Sequence, residues 1–246
     1  MNALDISHDQ KLLIVPDIHN KTESAEGIIK AVNPDHTIFL GDYFDSFGDS
    51  HMHADSTAKW LKESLARPDR THLVGNHDLS YMASNPYLKC SGYDTIKYEV
   101  IAGYDIDWKK LSLYCWINDD WLCTHAGLSK KFYELFDDSV HRVLESSIHD
   151  LDAIEDINSL HPFFQVGRLR GGSEQTGGIL WCDYEEFEDI AGVRQIFGHT
   201  NSERVRHAAN GNSEHYCIDT GLRHYAVYDN GELRVGETRS LKTKPC

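Results

Sequence analysis

The sequence predicts an α/β fold built around a parallel sheet. Two unbroken apolar runs, Lys11-Leu12-Leu13-Ile14-Val15-Pro16 and His36-Thr37-Ile38-Phe39-Leu40, have the pattern of strands covered on both faces. Segments of helical spacing alternate with the strand candidates, and strand-helix-strand order implies parallel pairing. Five of the strand candidates close on a polar cluster of Asp, Asn or His, at the strand ends where open α/β sheets place ligand sites. The stretch Gly75-Asn76-His77-Asp78 is the richest of these clusters.

A chain of 246 residues suits one large α/β domain or two small ones. A hydrophobic content of 40% supports a full core. The formal charge is −15, from 24 basic and 39 acidic residues. Such a chain is a poor surface for bulk nucleic acid or an anionic membrane. A phosphate substrate stays open, because bound cations reverse the field locally. The six cysteines form no C-x-x-C pair, and several sit inside apolar runs. Buried reduced thiols are therefore expected. Met1-Asn2-Ala3-Leu4-Asp5 has no charged-then-apolar leader pattern, and no apolar run reaches membrane-spanning length. The expectation is a soluble cytoplasmic protein.

Taken in order, the first strand stops at Asp17-Ile18-His19-Asn20. Asp17 and His19 are two apart, so on an extended backbone they point to one side. A carboxylate beside an imidazole is either a divalent-metal pincer or an ordinary capped turn. Thr22 to Val32 reads as a helix with Ala25, Ile28, Ile29 and Val32 on one face. The second strand runs into Gly41-Asp42-Tyr43-Phe44-Asp45, and parallel pairing brings Asp42 to the edge that holds Asp17 and His19. Two oxygens allow the Asp42 carboxylate to bridge two metals. Ser46 to Asp55 reads as a solvated loop, His51 and His53 included, and Ser56 to Leu65 as a helix. Thr71 to Val74 is the next strand, delivering Asn76, His77 and Asp78.

The segment around 79–113 is tyrosine-rich and helical in composition, most clearly from Asp94 to Leu113. It is cap-like in position, and packing and surface explain its tyrosines better than substrate contact does. Leu113 to Ile117 and Trp121 to Thr124 read as two strands about a turn, the second ending at His125-Ala126-Gly127. Lys130 to Leu160 is helical and acidic, with His141 and His149 in it and His161 just after it on surface or packing faces. Gln165 to Gly178 reads as a flexible glycine-rich loop carrying Arg168 and Arg170. An arginine fork suits a phosphoryl group, and incidental surface arginines explain the pair equally well. Gly178 to Trp181 and Val193 to Phe197 are strand candidates, the latter ending at Gly198-His199-Thr200. His215 to Ile218, Tyr225 to Tyr228 and Leu233 to Val235 read as an antiparallel tail over 215–237, its last turn Asn230-Gly231.

Five strand ends therefore close on Asp17, His19, Asp42, Asn76, His77, His125 and His199. Histidine and carboxylate without cysteine favour a borderline-hard ion such as Mn²⁺, Fe or Zn²⁺ over a structural zinc. Seven such groups exceed the needs of one ion and suit a pair about 3.5–4 Å apart.

The ordered motifs D-x-H, G-D-x-x-D, G-N-H-D, T-H-A-G and G-H-T span Asp17 to Thr200. In this order they resemble the calcineurin-like metallophosphoesterases. Gly41-Asp42-Tyr43-Phe44-Asp45, Ile179-Leu180-Trp181-Cys182-Asp183 and Cys217-Ile218-Asp219-Thr220-Gly221 are similar to segments of one branch. That branch holds the phosphoprotein phosphatases and diadenosine tetraphosphatases. The resemblance implies one domain over 1–246, a sandwich of two mixed β-sheets flanked by helices. It implies two divalent ions, manganese first, with iron, zinc or nickel as alternatives. Asp17, His19 and Asp42 would hold the first; Asp42 would bridge to the second, which also takes Asn76, His125 and His199. A water or hydroxide between them would attack phosphorus. His77 would protonate the leaving oxygen as general acid, oriented by Asp45.

The chain departs from the branch in places. Ser46-Phe47 stands where phosphoprotein phosphatases carry Arg-Gly, so one phosphate-binding arginine is absent, and Arg168 or Arg170 is the expected replacement. Asn20 replaces a glycine after D-x-H. Asn201 stands where many wider relatives carry a second histidine, leaving the first ion to water or to a weak Asn201 contact. The reading is a two-metal phosphomonoesterase of serine/threonine protein phosphatase type, its partner a phosphorylated substrate. A nucleotide phosphohydrolase or phosphodiesterase is the alternative, and a non-catalytic scaffold of the same fold is a third.

Overall fold

The structure is a computed structural model, and it describes residues 3–83, 88–146 and 162–241. Two six-stranded sheets pack into a sandwich. One holds β2 (Leu12–Val15), β3 (His36–Phe39), β4 (Arg70–Leu73) and β5 (Leu111–Ser112) in parallel, flanked by the hairpin β11 (His224–Asp229) and β12 (Glu232–Glu237). The other runs β1 (Ala3–Leu4), β6 (Tyr114–Ile117), β7 (Trp121–Thr124), β8 (Arg194–Phe197), β10 (Ser213–Cys217) and β9 (Arg206–Asn210). Within it β7, β8 and β10 are parallel to one another. Both sheets are mixed, as expected.

Strand β2 shows why the first apolar run is unbroken. Leu12 and Ile14 face Cys123, Ile196 and Ala226 in the core between the sheets, while Leu13 and Val15 join the core that includes Ala25 and Ile28. The latter two belong to helix α1 (Thr22–Val32). Both faces are covered, so no polar residue interrupts the run. Burying each such aliphatic side chain is worth about 1.5–3 kcal/mol.

Several expectations are corrected. The Ser46–Asp55 loop is shorter, because helix α2 spans His51–Ser64. Its N-cap is Ser50, whose backbone N–H donates to His53 Nδ1 at 3.2 Å. His53 thus fills the reciprocal capping position usually held by Glu or Gln. Gly75 is the N-cap of α3 (Asn76–Met82), so Asn76 and His77 open a helix. Between Asp94 and Leu113, helix α4 covers only Thr95–Ala102, with the Asp94 side chain accepting from Ile96 and Lys97 N–H. Gly103 ends it, and the chain goes on to the short strand β5.

Helices α5 (Lys130–Tyr133) and α6 (Val140–Ser146) begin the acidic helical region, whose remainder, with His149 and His161, lies outside the described residues. His141 stacks on Trp116 at 4.5 Å between ring centroids, a packing role. Gly178 to Trp181 is a turn, not a strand, with Trp181 and Cys182 N–H donating back to the Gly178 carbonyl. The antiparallel tail divides: β10 joins one sheet and the β11–β12 hairpin the other. The Asn230-Gly231 turn has φ of 53° and 78°, the left-handed pair that a two-residue hairpin requires. Edge strand β9 has no strand pattern in its sequence: Arg-His-Ala-Ala-Asn lacks the β-branched alternation that marks a strand.

Candidate metal centre

The carboxyl ends of β2, β3, β4, β7 and β8 meet at one edge of the sandwich. Glycine lets them approach. A Cβ on Gly75 would lie 2.1 Å from Asp42 Oδ1, and one on Gly198 would lie 2.0 Å from Asp17 Oδ1. Only a residue without Cβ fits at either place. The backbone is also forced: φ is 44° at His19, 50° at Asp42, 60° at Asp45 and 65° at His199. Non-glycine residues in this region cost energy and concentrate at functional sites.

Asp78 holds the strand ends in register. Fully buried, it accepts backbone N–H groups from Asp42 (2.9 Å), Tyr43 (2.9 Å) and Gly75 (2.8 Å). A carboxylate facing three donors is well satisfied without water.

Among the described residues, Asp45, His77 and Cys90 form one group of possible ligand atoms, and two others share a carboxylate: Asp17, His19 and Asp42, and Asp42, His125 and His199. Asp42 belongs to both of the latter. Its Oδ1 accepts the His77 backbone N–H at 2.9 Å, while Oδ2 lies 3.8 Å from His19 Nε2 and 3.5 Å from His125 Nε2. Asp17 accepts the His199 backbone N–H at 3.0 and 3.1 Å, which joins the ends of β2 and β8. Asn76 Oδ1 is 3.0 Å from His125 Nε2, and His199 Nδ1 is 3.1 Å from the same atom.

The imidazole tautomers follow from their other contacts. His19 Nδ1 donates to the Phe44 carbonyl at 3.0 Å, and His125 Nδ1 donates to the Leu40 carbonyl at 2.8 Å. With that proton on Nδ1, Nε2 is the atom of each ring that presents an inward lone pair in the neutral, metal-ligating form. His199 Nε2 is buried without a hydrogen-bond partner among the described residues. Burial, with His125 and Arg170 nearby, holds His199 well below its ordinary value, hence neutral. Burial and the neighbouring Asp219 and Asp42 carboxylates push Asp17 up to about 7. Burial opposes ionisation of Asp42, but the neighbouring imidazoles, His125 first and then His77 and His19, outweigh it and lower its pKa. Converging lone pairs, two carboxylates and an amide oxygen suit divalent cations, so the donor set fits the expected metal pair.

His77 stands apart from the two groups that share Asp42, beside Asp45 and Cys90. Its Nδ1 donates to Asp45 Oδ2 at 3.0 Å, and its ring lies edge-on to His19 at 5.4 Å. Burial works against the charged imidazole, but Asp42 and the Asp45 hydrogen bond push it up to about 12. Asp45 also accepts from Tyr81 Oη and Lys97 Nζ, each at 2.6 Å.

The two arginines diverge. Arg170 pairs with Asp183 at 2.8 Å and donates to Thr200 Oγ1 at 2.9 Å, beside His199. Arg168 is exposed and faces the Ser173 carbonyl. Their glycine-rich loop is tied down by buried Glu186, which accepts the Leu169 and Gly177 N–H groups. Asn201 donates its amide to Asp219 at 3.0 Å. Lys97 carried no sequence signal: it reaches Asp45 from 52 residues along the chain, and no spacing rule joins them. Asp49 and Tyr81 lie only four residues from Asp45 and His77 respectively, but nothing in their spacing marked them as partners of the site.

The family model for calcineurin-like phosphoesterases matches residues 10–203. No curated protein sequence matches. Among solved structures, a cold-active protein-tyrosine phosphatase of the psychrophile Shewanella sp. is similar at TM-score 0.64 and 15% identity, covering 97% of this chain and 80% of that one. A protein serine/threonine phosphatase from Saccharomyces cerevisiae is similar at TM-score 0.54 and 13% identity, covering 96% and 82%. At such identities these two likenesses speak for the fold alone.

Proposed function

The chain belongs to the calcineurin-like phosphoesterases, metal-dependent hydrolases of phosphoric esters, and on that basis we propose a two-metal phosphomonoesterase acting on serine/threonine phosphoproteins. The observation that supports two ions over one is Asp42: one oxygen is fixed by the His77 amide, and the other faces His19 and His125 at once. Asp17, His19 and Asp42 would hold one cation; Asp42, Asn76, His125 and His199 would hold the other. Bound there, the pair would lower the pKa of the attacking water and neutralise charge on the phosphoryl oxygens. The soft-donor-free ligand set supports manganese, with iron, zinc or nickel as substitutes.

The remaining work falls to this chain's own side chains. Asp45 accepts the Nδ1–H of His77, which leaves Nε2 to carry the proton given to the leaving alkoxide. Arg170, aimed beside His199 by Asp183 and Thr200, is the better placed of the two arginines to meet a phosphoryl oxygen. The scaffold reading is disfavoured, because no ligand position nor His77 is missing. The described cysteines are free thiols, which supports a cytoplasmic setting.

A nucleotide or diester substrate is the second reading, and Phe47 favours it. It stands fully exposed two residues after Asp45, where the phosphoprotein phosphatases carry a glycine. An exposed aromatic ring offers a stacking face to a base. Manganese-loaded protein assayed on p-nitrophenyl phosphate, its bis ester, a phosphopeptide and diadenosine tetraphosphate separates the readings. The phosphopeptide is expected to give the highest kcat/KM; preference for the tetraphosphate would transfer the assignment to nucleotides. Chelation is expected to abolish activity on all four.

A further inference from the structure

Lys97 lies in the first turn of α4 with only 5% of its surface exposed. Neither condition suits a cation. Lysine is rarely buried unless paired, and the start of a helix disfavours positive charge. Something specific must therefore hold the ammonium there, and the structure shows what it is. Lys97 Nζ donates to Asp45 Oδ1 at 2.6 Å and to Asp49 Oδ1 at 3.1 Å. Asp49 is itself fixed, accepting Asn20 Nδ2 at 2.9 Å and the Ser46 N–H at 3.2 Å. Asn20 in turn accepts Thr57 Oγ1 from α2 at 2.8 Å.

We infer that Lys97 is a positioning residue for the phosphoester reaction: by gripping Asp45 Oδ1 it sets the carboxylate plane and so fixes the ring of His77. The inference rests on reading His77 as the proton donor. The geometry supports it at each step. Asp45 has two oxygens and three side-chain donors. Oδ1 takes Tyr81 and Lys97, which leaves Oδ2 for His77 Nδ1 at 3.0 Å. Asp45 also sits in a left-handed backbone conformation, so its side chain leaves the loop at an angle that partners must secure. A Tyr81 hydroxyl alone would leave rotation about the carboxylate less constrained. The ammonium also separates the Asp45 and Asp49 carboxylates, which would otherwise repel across a short, poorly solvated gap. Lys97 thus ties the cap-like segment to the acid residue, which is how a helix that offers no ligand can still govern turnover.

The test compares Lys97→Met with His77→Asn on manganese-loaded protein, over aryl phosphates of graded leaving-group pKa. Lys97→Met is expected to keep both cations by elemental analysis and to change KM little. Its kcat should fall about 10- to 100-fold for the poorest leaving groups and much less for the best, the scale of a misplaced catalytic group. His77→Asn should show the same slope more steeply, and Lys97→Arg should restore part of the loss. Should Lys97→Met fail to fold, the pair Lys97→Met/Asp49→Asn removes charge of both signs and is expected to give the same slope. An equal fall across the series, no fall, or loss of a cation would reduce Lys97 to a structural residue and overturn the inference. If His77→Asn shows no leaving-group dependence, the proton-donor reading itself is lost, an outcome distinct from failure at Lys97 alone.

Discussion

Asp42 concentrates the site's demands on one side chain. Its two oxygens serve different partners, the His77 amide and the shared edge between His19 and His125. Under the proposed function, Asp42→Ala should therefore cost both cations, while His19→Ala should spare the second. Elemental analysis of the purified variants distinguishes them, and retention of both ions by Asp42→Ala would dismiss the bridge. His72 makes a different prediction. Buried, it donates from Nδ1 to Tyr43 Oη, while Ser64 Oγ donates to its Nε2 at 2.8 Å. Burial and nearby Arg70 lower its pKa from 6.5 to about 3. Between those values the unfolded chain binds the extra proton, so stability falls as pH drops from 6.5 towards 3. The slope from this residue reaches about 1.4 kcal/mol per pH unit. Urea unfolding at pH 6 and pH 4 should show the parent losing about 2 kcal/mol more than His72→Gln. Equal losses would refute the assignment.

At the scale of elements, the site depends on strand ends pressed closer than side chains normally permit. Gly75, two residues beyond β4, is the N-cap of α3, and its Cα faces Asp42. Gly75→Ala should destabilise the protein by about 2–4 kcal/mol through overpacking. It should also lose divalent-cation binding, because the new methyl group would displace Asp42. Calorimetric titration with Mn²⁺ beside a thermal melt checks both; normal binding would show that the contact gives way elsewhere. The elements also mark what was legible. Helix α1 and the chief strands follow from periodicity, within a residue or so of where they stand. The start of α2 was missed because His53, a weak helix former, acts as the cap partner through a bond that composition does not display. The 178–181 segment misled because an apolar run reads alike in a strand and in a buried turn.

Across the whole molecule, a chain of net charge −15 gathers Asp17, Asp42, Asp45, Asp78 and Asp219 in buried positions near one edge. Such a concentration of carboxylates is costly unless cations, imidazoles or backbone donors compensate it. Bound divalent ions should then stabilise the fold as well as serve chemistry. At 100 times Kd, each site contributes about 2.7 kcal/mol, which for a chain of this size is about 5–10 °C in Tm. Melting curves of chelator-stripped protein with and without Mn²⁺ measure this directly, and coincident curves would contradict a metal pair. Among the described residues no helix is long and apolar enough to cross a membrane.

By itself the sequence determined the alternation of strands and helices, the order of the five polar strand ends and the final hairpin. Those features depend on local periodicity and turn chemistry, which neighbouring residues settle among themselves. Tertiary structure alone decided the rest: that Asp78 is a backbone clamp, that Lys97 and Tyr81 share one oxygen of Asp45, that Arg170 and not Arg168 turns towards His199, and that β10 leaves the tail for the opposite sheet. The reason is common to all four. A buried charge or an unpaired edge must find its partner wherever the chain brings one within reach, and that partner's distance along the sequence leaves no periodic trace.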